Sequence, residues 1–146
     1  MNKNHTTTAR VRRNDEFLRM FKSALHEMIA SGVKKPHDAA VRYTLEHGKP
    51  SYHVSHAHAY RVVSALLAGR PLRKVNPLLC ALWHEIAAHA AAVIDERRCS
   101  ISRAVDVVLL EQRASRFFIT EGYALRLAYS LRRASREELA RHTMHA

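Results

Sequence analysis

Two stretches of the chain share one order of small, apolar, aromatic and helix-capping residues, and this is the strongest constraint on the fold. Shifting the sequence so that Ala39 falls on Ala104 lays "AAVRYTLEHGKPSYHVSHAHAYRVVSALL" on "AVDVVLLEQRASRFFITEGYALRLAYSLR" without a gap. Tyr52 then meets Phe117, and Ser55 meets Thr120. Self-similarity at a fixed spacing is typical of a duplicated structural unit. The sequence therefore predicts an internal repeat.

Each repeat is predicted to consist of helices. Glycine and proline are scarce, at four each in 146 residues, and apolar residues recur at helical spacing. The predicted fold is all-α, with two tandem copies of a three-helix unit packed into one compact domain and an extended aromatic segment before each third helix. The predicted boundaries are a basic disordered arm 1–13, a first unit 14–69, a basic linker 70–76, a second unit 77–134 and a short tail helix 135–146.

Several polar residues stand where a helix would begin. Side chains of Ser, Thr and Asn accept hydrogen bonds from the first free N–H groups of a helix, and proline is tolerated in its first turn. We therefore expect helix starts at Asn14, Pro36, Ser55, Asn76-Pro77, Ser102, Thr120 and Ser135.

The extended segments carry large apolar side chains. Tyr52, Val54, Phe117 and Ile119 are predicted to fill the cores, because packing is commoner than base stacking for such residues. Trp83 and the long helix that carries it are expected to lie between the two units. Small residues from Ala87 to Ala92 make part of that helix smooth, which suits close helix packing within the chain or in a homodimer.

The chain is strongly basic. It has 24 Lys and Arg against 13 Asp and Glu, a net charge of +11. Such an excess on a small protein favours a polyanionic partner, with DNA preferred over RNA. A basic protein without such a partner is the alternative.

The sequence shows no recognisable targeting signal or membrane span. The basic N-terminal stretch has no apolar core of a secretory signal, and no apolar run was expected to reach the roughly 18 residues of a membrane span. Cys80 and Cys99 are too few for a disulfide framework. These features predict a cytoplasmic, intracellular protein without a membrane partner, associated with the nucleoid if it binds DNA.

Histidine-rich stretches suggest a metal site, but their spacing argues against it. His53, His56 and His58 have no histidine counterparts in the second repeat, and His56 and His58 would point apart on a helix. The stretch "HEIAAH", His84 to His89, has one residue too many for a zinc-binding HExxH helix. We predict no metal site, no cofactor and no enzymatic activity.

A three-helix unit whose capped third helix has a polar face resembles helix-turn-helix DNA-binding domains, over residues 36–68 and 101–133. The connection "GKPSYHVS" is longer than the usual tight turn. The resemblance implies that the third helix contacts the major groove, with Arg61 and Arg126 as the matched pair. The other candidate DNA-binding residues are His56, His58, Tyr123, Lys49, Arg70, Arg73, Lys74, Arg113, Arg116, Arg132, Arg133, Arg10, Arg12 and Arg13.

Two functions of different classes follow from these patterns. The first is a small DNA-binding protein, a transcription regulator or an accessory factor. The second is a helical adaptor or structural protein that docks on an acidic partner or self-assembles, and a phage or mobile-element origin would fit it. The dependence of binding on salt distinguishes the two.

Overall fold

The computed structural model describes residues 3–73 and 75–144. All regular secondary structure in these residues is helical. Its six helices are α1 (Lys3–Ala30), α2 (Pro36–His47), α3 (His56–Leu67), α4 (Pro77–Arg97), α5 (Ile101–Glu111) and α6 (Glu121–Met144). Over those same residues no β-strand forms. The predicted all-α class is confirmed.

Most helix starts lie where the polar residues predicted them. Side-chain oxygens of Ser55, Asn76 and Thr120 each accept a hydrogen bond from the backbone N–H three residues further on, at 3.2, 2.8 and 3.1 Å. Pro36 opens α2. These capping bonds satisfy donors that have no partner inside the helix, so local sequence marks the beginning of α3, α4 and α6.

The start of α1 differs from the prediction. Instead of a disordered arm over 1–13 and a cap at Asn14, the helix runs from Lys3 without interruption. The segment contains no glycine or proline, and each residue added to an existing helix gains one backbone hydrogen bond. Alanine and arginine are also good helix formers. The amphipathic helix after Asn14 therefore extends backwards into the basic segment.

Two further boundaries differ as well. Ser100, and not Ser102, caps α5, with its Oγ accepting from the backbone N–H of Arg103 at 3.1 Å. The tail over 135–146 is not a separate helix, because α6 continues to Met144. No glycine or proline lies between Glu121 and Ser135 except Gly122 in the first turn, so nothing stops the helix there. The last two residues of the predicted tail lie outside the described residues.

Contacts between the helices divide the chain into two units. Unit 1 comprises the described residues of 1–13 and 49–118, and unit 2 those of 14–48 and 119–146. Unit 1 thus contains α3, α4, α5 and the beginning of α1, whereas unit 2 contains the rest of α1, α2 and α6. The predicted ranges 14–69 and 77–134 follow one another along the chain and remain a sequence-based prediction.

Unit 1 is built on three helices that all contact one another, α3, α4 and α5. Its core includes Val63 from α3, Trp83 and Ile86 from α4, and Val105 from α5. Tyr52 is buried in the same core, and Phe117 is also fully buried in unit 1. Two of the side chains predicted to fill the cores from the extended segments therefore do so.

Unit 2 is held by the pairing of α2 with α6. The Tyr129 hydroxyl donates to Asp38 Oδ1 at 3.4 Å, and the Arg42 guanidinium lies 3.3 Å from Glu121 Oε1. Val41 of α2 is fully buried, and Ile119 is buried just before α6. The predicted burial of Ile119 is confirmed, while Val54 in unit 1 is only half-buried.

Helix starts follow the spacing of the predicted repeat. The shift that lays Ala39 on Ala104 also lays the first residue of α2, Pro36, on Ile101 of α5, and His56 of α3 on Glu121 of α6. The order of the helices therefore agrees with a duplication. The duplication itself remains a prediction from the sequence.

One described helix, α4, is long and apolar enough to cross a membrane, with a mean hydropathy of 1.4 over its most apolar window. This corrects the expectation that no stretch of the chain approaches that property. Core helices of soluble proteins share it, and α4 buries five side chains, Trp83, Ile86, Ala87, Ala90 and Val93. The absence of a membrane partner stays a prediction.

A candidate cationic binding cavity

A cavity of about 760 Å³ lies within unit 1, and four arginines line it. Arg10 and Arg13 come from α1, Arg61 from α3 and Arg116 from the extended segment before α6. We call it the arginine cavity. Among the described residues, no aspartate or glutamate lines it. Its lining therefore carries positive charge, because the four guanidinium groups stay protonated at any physiological pH.

Aromatic side chains form a second part of the lining: Tyr52, Trp83, Phe117 and Phe118. Phe118 is half-buried, whereas the other three are buried. The Arg116 guanidinium carbon lies 5.7 Å from the centre of the Phe118 ring, within the range of a cation–π contact. The cavity therefore combines positive charge with an aromatic face.

Two histidines, His53 and His58, and two serines, Ser51 and Ser55, complete the polar lining. The His58 ring packs against Trp83 at 4.9 Å between ring centres. Burial lowers the pKa of His58 below its ordinary value, and the neighbouring positive charge of Arg61 lowers it further. His58 is consequently uncharged at neutral pH, so its ring can both donate and accept a hydrogen bond.

The carboxylate of Glu85 fixes the extended segments that line the cavity. The Tyr52 hydroxyl donates to Glu85 Oε2 at 2.6 Å, and the Ser115 backbone N–H donates to the same oxygen at 3.0 Å. The Ser115 hydroxyl donates to Oε1. One side chain of α4 thereby holds both the segment before α3 and the segment before α6.

Backbone contacts join these two segments directly. The Ala114 N–H donates to the Pro50 carbonyl at 2.7 Å, and Arg113 Nη1 donates to the Lys49 carbonyl at 3.4 Å. Buried backbone groups outside helices need such partners. The segments 49–55 and 112–118, which carry part of the cavity lining, are therefore bonded to each other as well as to α4.

Hydrogen bonding also affects the ionisation of Glu85. Burial alone would raise the pKa of its carboxyl group, but the hydrogen bonds from Ser115 and Tyr52 outweigh that effect and hold the pKa below its usual value. Burial, followed by the bond to Glu85, raises the pKa of the Tyr52 phenol. Glu85 is thus a carboxylate and Tyr52 a neutral donor at physiological pH.

Five of the predicted DNA-binding residues meet at the arginine cavity: Arg10, Arg13, His58, Arg61 and Arg116. They come from three separate parts of the sequence. The sequence predicts that Arg10 and Arg13 belong to a disordered arm and that Arg116 flanks the third helix of the second repeat. Packing instead places them around one volume with Arg61.

The other predicted residues of unit 1 lie elsewhere. His56 faces α5, with its Nε2 atom 3.1 Å from Asp106 Oδ1 and 3.2 Å from the Ser102 carbonyl oxygen. His56 and His58 therefore diverge, as their spacing predicted. Further predicted residues do not line the cavity: Lys49, Arg12, Arg70, Arg73 and Arg113. Lys74 lies outside the described residues.

Four predicted residues belong to unit 2. The Arg126 guanidinium carbon lies 5.7 Å from the centre of the Tyr123 ring, and the Tyr123 hydroxyl accepts a hydrogen bond from Asn14 Nδ2 at 3.0 Å. Arg132 and Arg133 are exposed on α6. Arg61 and Arg126, matched in the sequence, therefore have different surroundings, since only Arg61 lines the arginine cavity.

Sequence reasoning missed the positions of Glu85 and Phe118. Glu85 belongs to "HEIAAH", whose residues are predicted to be ordinary helix residues, yet it holds both extended segments. The triplet Arg116-Phe117-Phe118 shows basic and aromatic residues side by side, a pattern that could have indicated the mixed lining. Among the described residues, no three His, Cys, Asp or Glu side chains are grouped as a metal site would require.

Comparisons of the chain with protein-family models, with curated proteins and with solved structures gave no match.

Proposed function

We propose that this protein binds DNA and that the arginine cavity of unit 1 contacts the phosphates. The observation that carries the proposal is the meeting of four arginines in a cavity that no described carboxylate lines. Guanidinium groups that line one cavity attract an anion into it, because each of them adds positive charge to the lining. The net charge of +11 supports a polyanion over a single small anion.

Arginine suits this role better than other cations. Its planar guanidinium donates two parallel hydrogen bonds to a phosphate and is less strongly hydrated than an ammonium group. Arg10, Arg61 and Arg116 are exposed at the cavity, so a ligand reaches them without unfolding the core. A regulator or an accessory factor acting on DNA is the role that we propose. The likeness to helix-turn-helix domains remains an expectation on which this proposal does not depend.

The test is binding of a labelled random-sequence duplex over a series of salt concentrations. The wild type is compared with the triple variant Arg10→Ala/Arg61→Ala/Arg116→Ala and with a matched control, Arg12→Ala/Arg70→Ala/Arg73→Ala. The control removes the same charge from exposed positions outside the cavity. Circular dichroism verifies that all three proteins are equally helical.

We expect the cavity variant to bind more weakly and to show a flatter plot of log affinity against log salt. Each lost phosphate contact lowers the slope by about 0.9, so three lost contacts lower it by about 2 to 3. The control should change the slope much less. An equal loss of affinity in the control would show that the arginine cavity is not the part of the protein that contacts the phosphates. No binding of wild type at low salt would overturn the proposal and leave the adaptor function as the leading hypothesis.

A further inference from the structure

The arginine cavity has the size of a small-ligand site. Its volume of about 760 Å³ lies within the range of roughly 300–1,000 Å³ that is usual for ligand pockets. A DNA duplex presents its phosphates on a convex surface and keeps its bases stacked inside. A base reaches a concave pocket only after it leaves the stack, or where it is unpaired from the beginning.

The lining offers more than phosphate binding needs. Aromatic and aliphatic groups share the cavity with the arginines, among them Trp83, Phe118, Leu79 and Leu82. Phosphate alone gains nothing from such a surface, whereas a nucleobase stacks on aromatic rings and arginine planes. Phe118, half-buried and close to Arg116, joins the two kinds of surface.

The polar groups at the cavity differ in whether they can hydrogen-bond to a ligand. The Tyr52 hydroxyl is committed to Glu85, so it does not serve a ligand. The His58 ring is uncharged at neutral pH and lies at the cavity beside Trp83 and Arg61. An uncharged imidazole can exchange hydrogen bonds with the edge of a base.

From this combination of charge, apolar surface and volume, we infer that the arginine cavity binds one unpaired nucleotide, with its phosphate on the arginines and its base against the half-buried Phe118 ring. The inference rests on the proposed DNA binding and specifies its ligand. The same chemistry occurs in an unpaired nucleotide of a DNA strand and in a free nucleoside monophosphate.

The first experiment compares three labelled DNA hairpins. One is blunt, one carries a three-nucleotide thymidine overhang, and one carries an overhang of three abasic sites with the same phosphates. Equal charge in the two overhangs isolates the contribution of the bases. Stacking contributes about 1–3 kcal/mol per base, so the wild type should bind the thymidine overhang about tenfold more tightly than the abasic one.

Two variants test whether the cavity causes this preference. Ala9→Phe fills the cavity from α1 and leaves every arginine in place, and Phe118→Leu keeps apolar volume but removes the ring. Both should lose most of the tenfold preference between the two overhangs, whatever their overall affinity, because the two overhangs carry equal charge. Ala88→Phe, at an exposed position of α4 outside the cavity, is the control and should keep the preference.

Each result decides between the inference and the function on which it rests. Equal binding of both overhangs, or a preference that survives in both cavity variants, overturns the inference, while binding of the blunt hairpin would still support DNA binding. No binding of any hairpin overturns both. Where the preference is present, competition by thymidine monophosphate would show that a free nucleotide also binds, and its failure to compete would assign the site to a strand.

Discussion

The phenol oxygen of Tyr52 lies 2.6 Å from Oε2 of Glu85, which places a hydrogen bond between the segment before α3 and the middle of α4. The same carboxylate accepts from Ser115. Three donors from two distant parts of the sequence thus converge on one side chain. Glu85 therefore determines how the wall of the arginine cavity is held.

Replacing Glu85 with alanine should destabilise the fold. The substitution leaves the Tyr52 hydroxyl and the Ser115 N–H without their acceptor, and hydrogen bonds to a charged group contribute about 2 kcal/mol each. We expect the free energy of unfolding in urea to fall by about 2–4 kcal/mol. Glu96→Ala, at an exposed position near the end of α4, is the control. A loss of similar size in the control would show that the bonds of Glu85 contribute little.

Stability should also depend on pH through Glu85. Its hydrogen bonds keep the folded-state pKa below the ordinary value of 4.5, so the ionised side chain stabilises the fold above that pH. This contribution is lost as the pH falls from 4.5 through the lowered pKa. The difference in unfolding free energy between wild type and Glu85→Gln should therefore shrink as urea titrations move from pH 7 to pH 3. A difference that is constant over this range would contradict the assignment.

The cap of α5 gives a prediction that separates two nearby serines. Ser100 accepts the hydrogen bond from the Arg103 N–H, and the sequence pattern favoured Ser102. Ser100→Ala should lower the unfolding free energy by about 1 kcal/mol, whereas Ser102→Ala should change it by less than about 0.5 kcal/mol. Thermal and urea denaturation of both variants measure this. The reverse order would restore the boundary that the sequence predicted.

Removing the charge of Arg61 should alter the titration of His58. Burial is the larger cause of the lowered His58 pKa and Arg61 the smaller. In Arg61→Gln, the pKa should rise but remain below 6.5, because burial persists. Proton NMR of the imidazole follows the titration, with Arg70→Gln as an exposed control. A pKa at or above 6.5 in Arg61→Gln would show that burial is not the main cause.

The lowered pKa of His58 also makes the free energy of unfolding depend on pH. Folding favours the uncharged ring, so His58 contributes stability above pH 6.5 and loses that contribution as the pH falls through its lowered pKa. The contribution adds to that of Glu85, which is lost at more acidic pH. Acid therefore destabilises unit 1 through two side chains, beginning below pH 6.5 for His58 and below pH 4.5 for Glu85.

Local chemistry in the sequence predicted much of the helical structure. Ser55, Asn76 and Thr120 cap helices because their side chains reach only a few residues along the chain. The start of α1 was not predictable in this way. Asn14 has the residue type of a cap, but an uninterrupted helix through it gains more backbone hydrogen bonds.

Local sequence patterns do not predict the arginine cavity. Arg10, Arg61 and Arg116 occur on different elements, and no spacing along the chain relates them. Only the packing of unit 1 brings them together. The repeat matches Arg61 with Arg126 and so predicts that the two arginines have similar surroundings. In the structure, Arg126 instead lies in unit 2 beside Tyr123.

The pairing of α2 with α6 has a consequence for how the chain folds during synthesis. The residues bonded between these helices, Asp38 with Tyr129 and Arg42 with Glu121, are separated by 91 and 79 positions. The helices α3, α4 and α5 of unit 1 follow one another in between. On the ribosome they are complete before α6 exists, and domains generally fold as units while the chain emerges. Unit 1 is therefore expected to form first, while the apolar side of α2 lacks its α6 partner until nearly the whole chain has emerged.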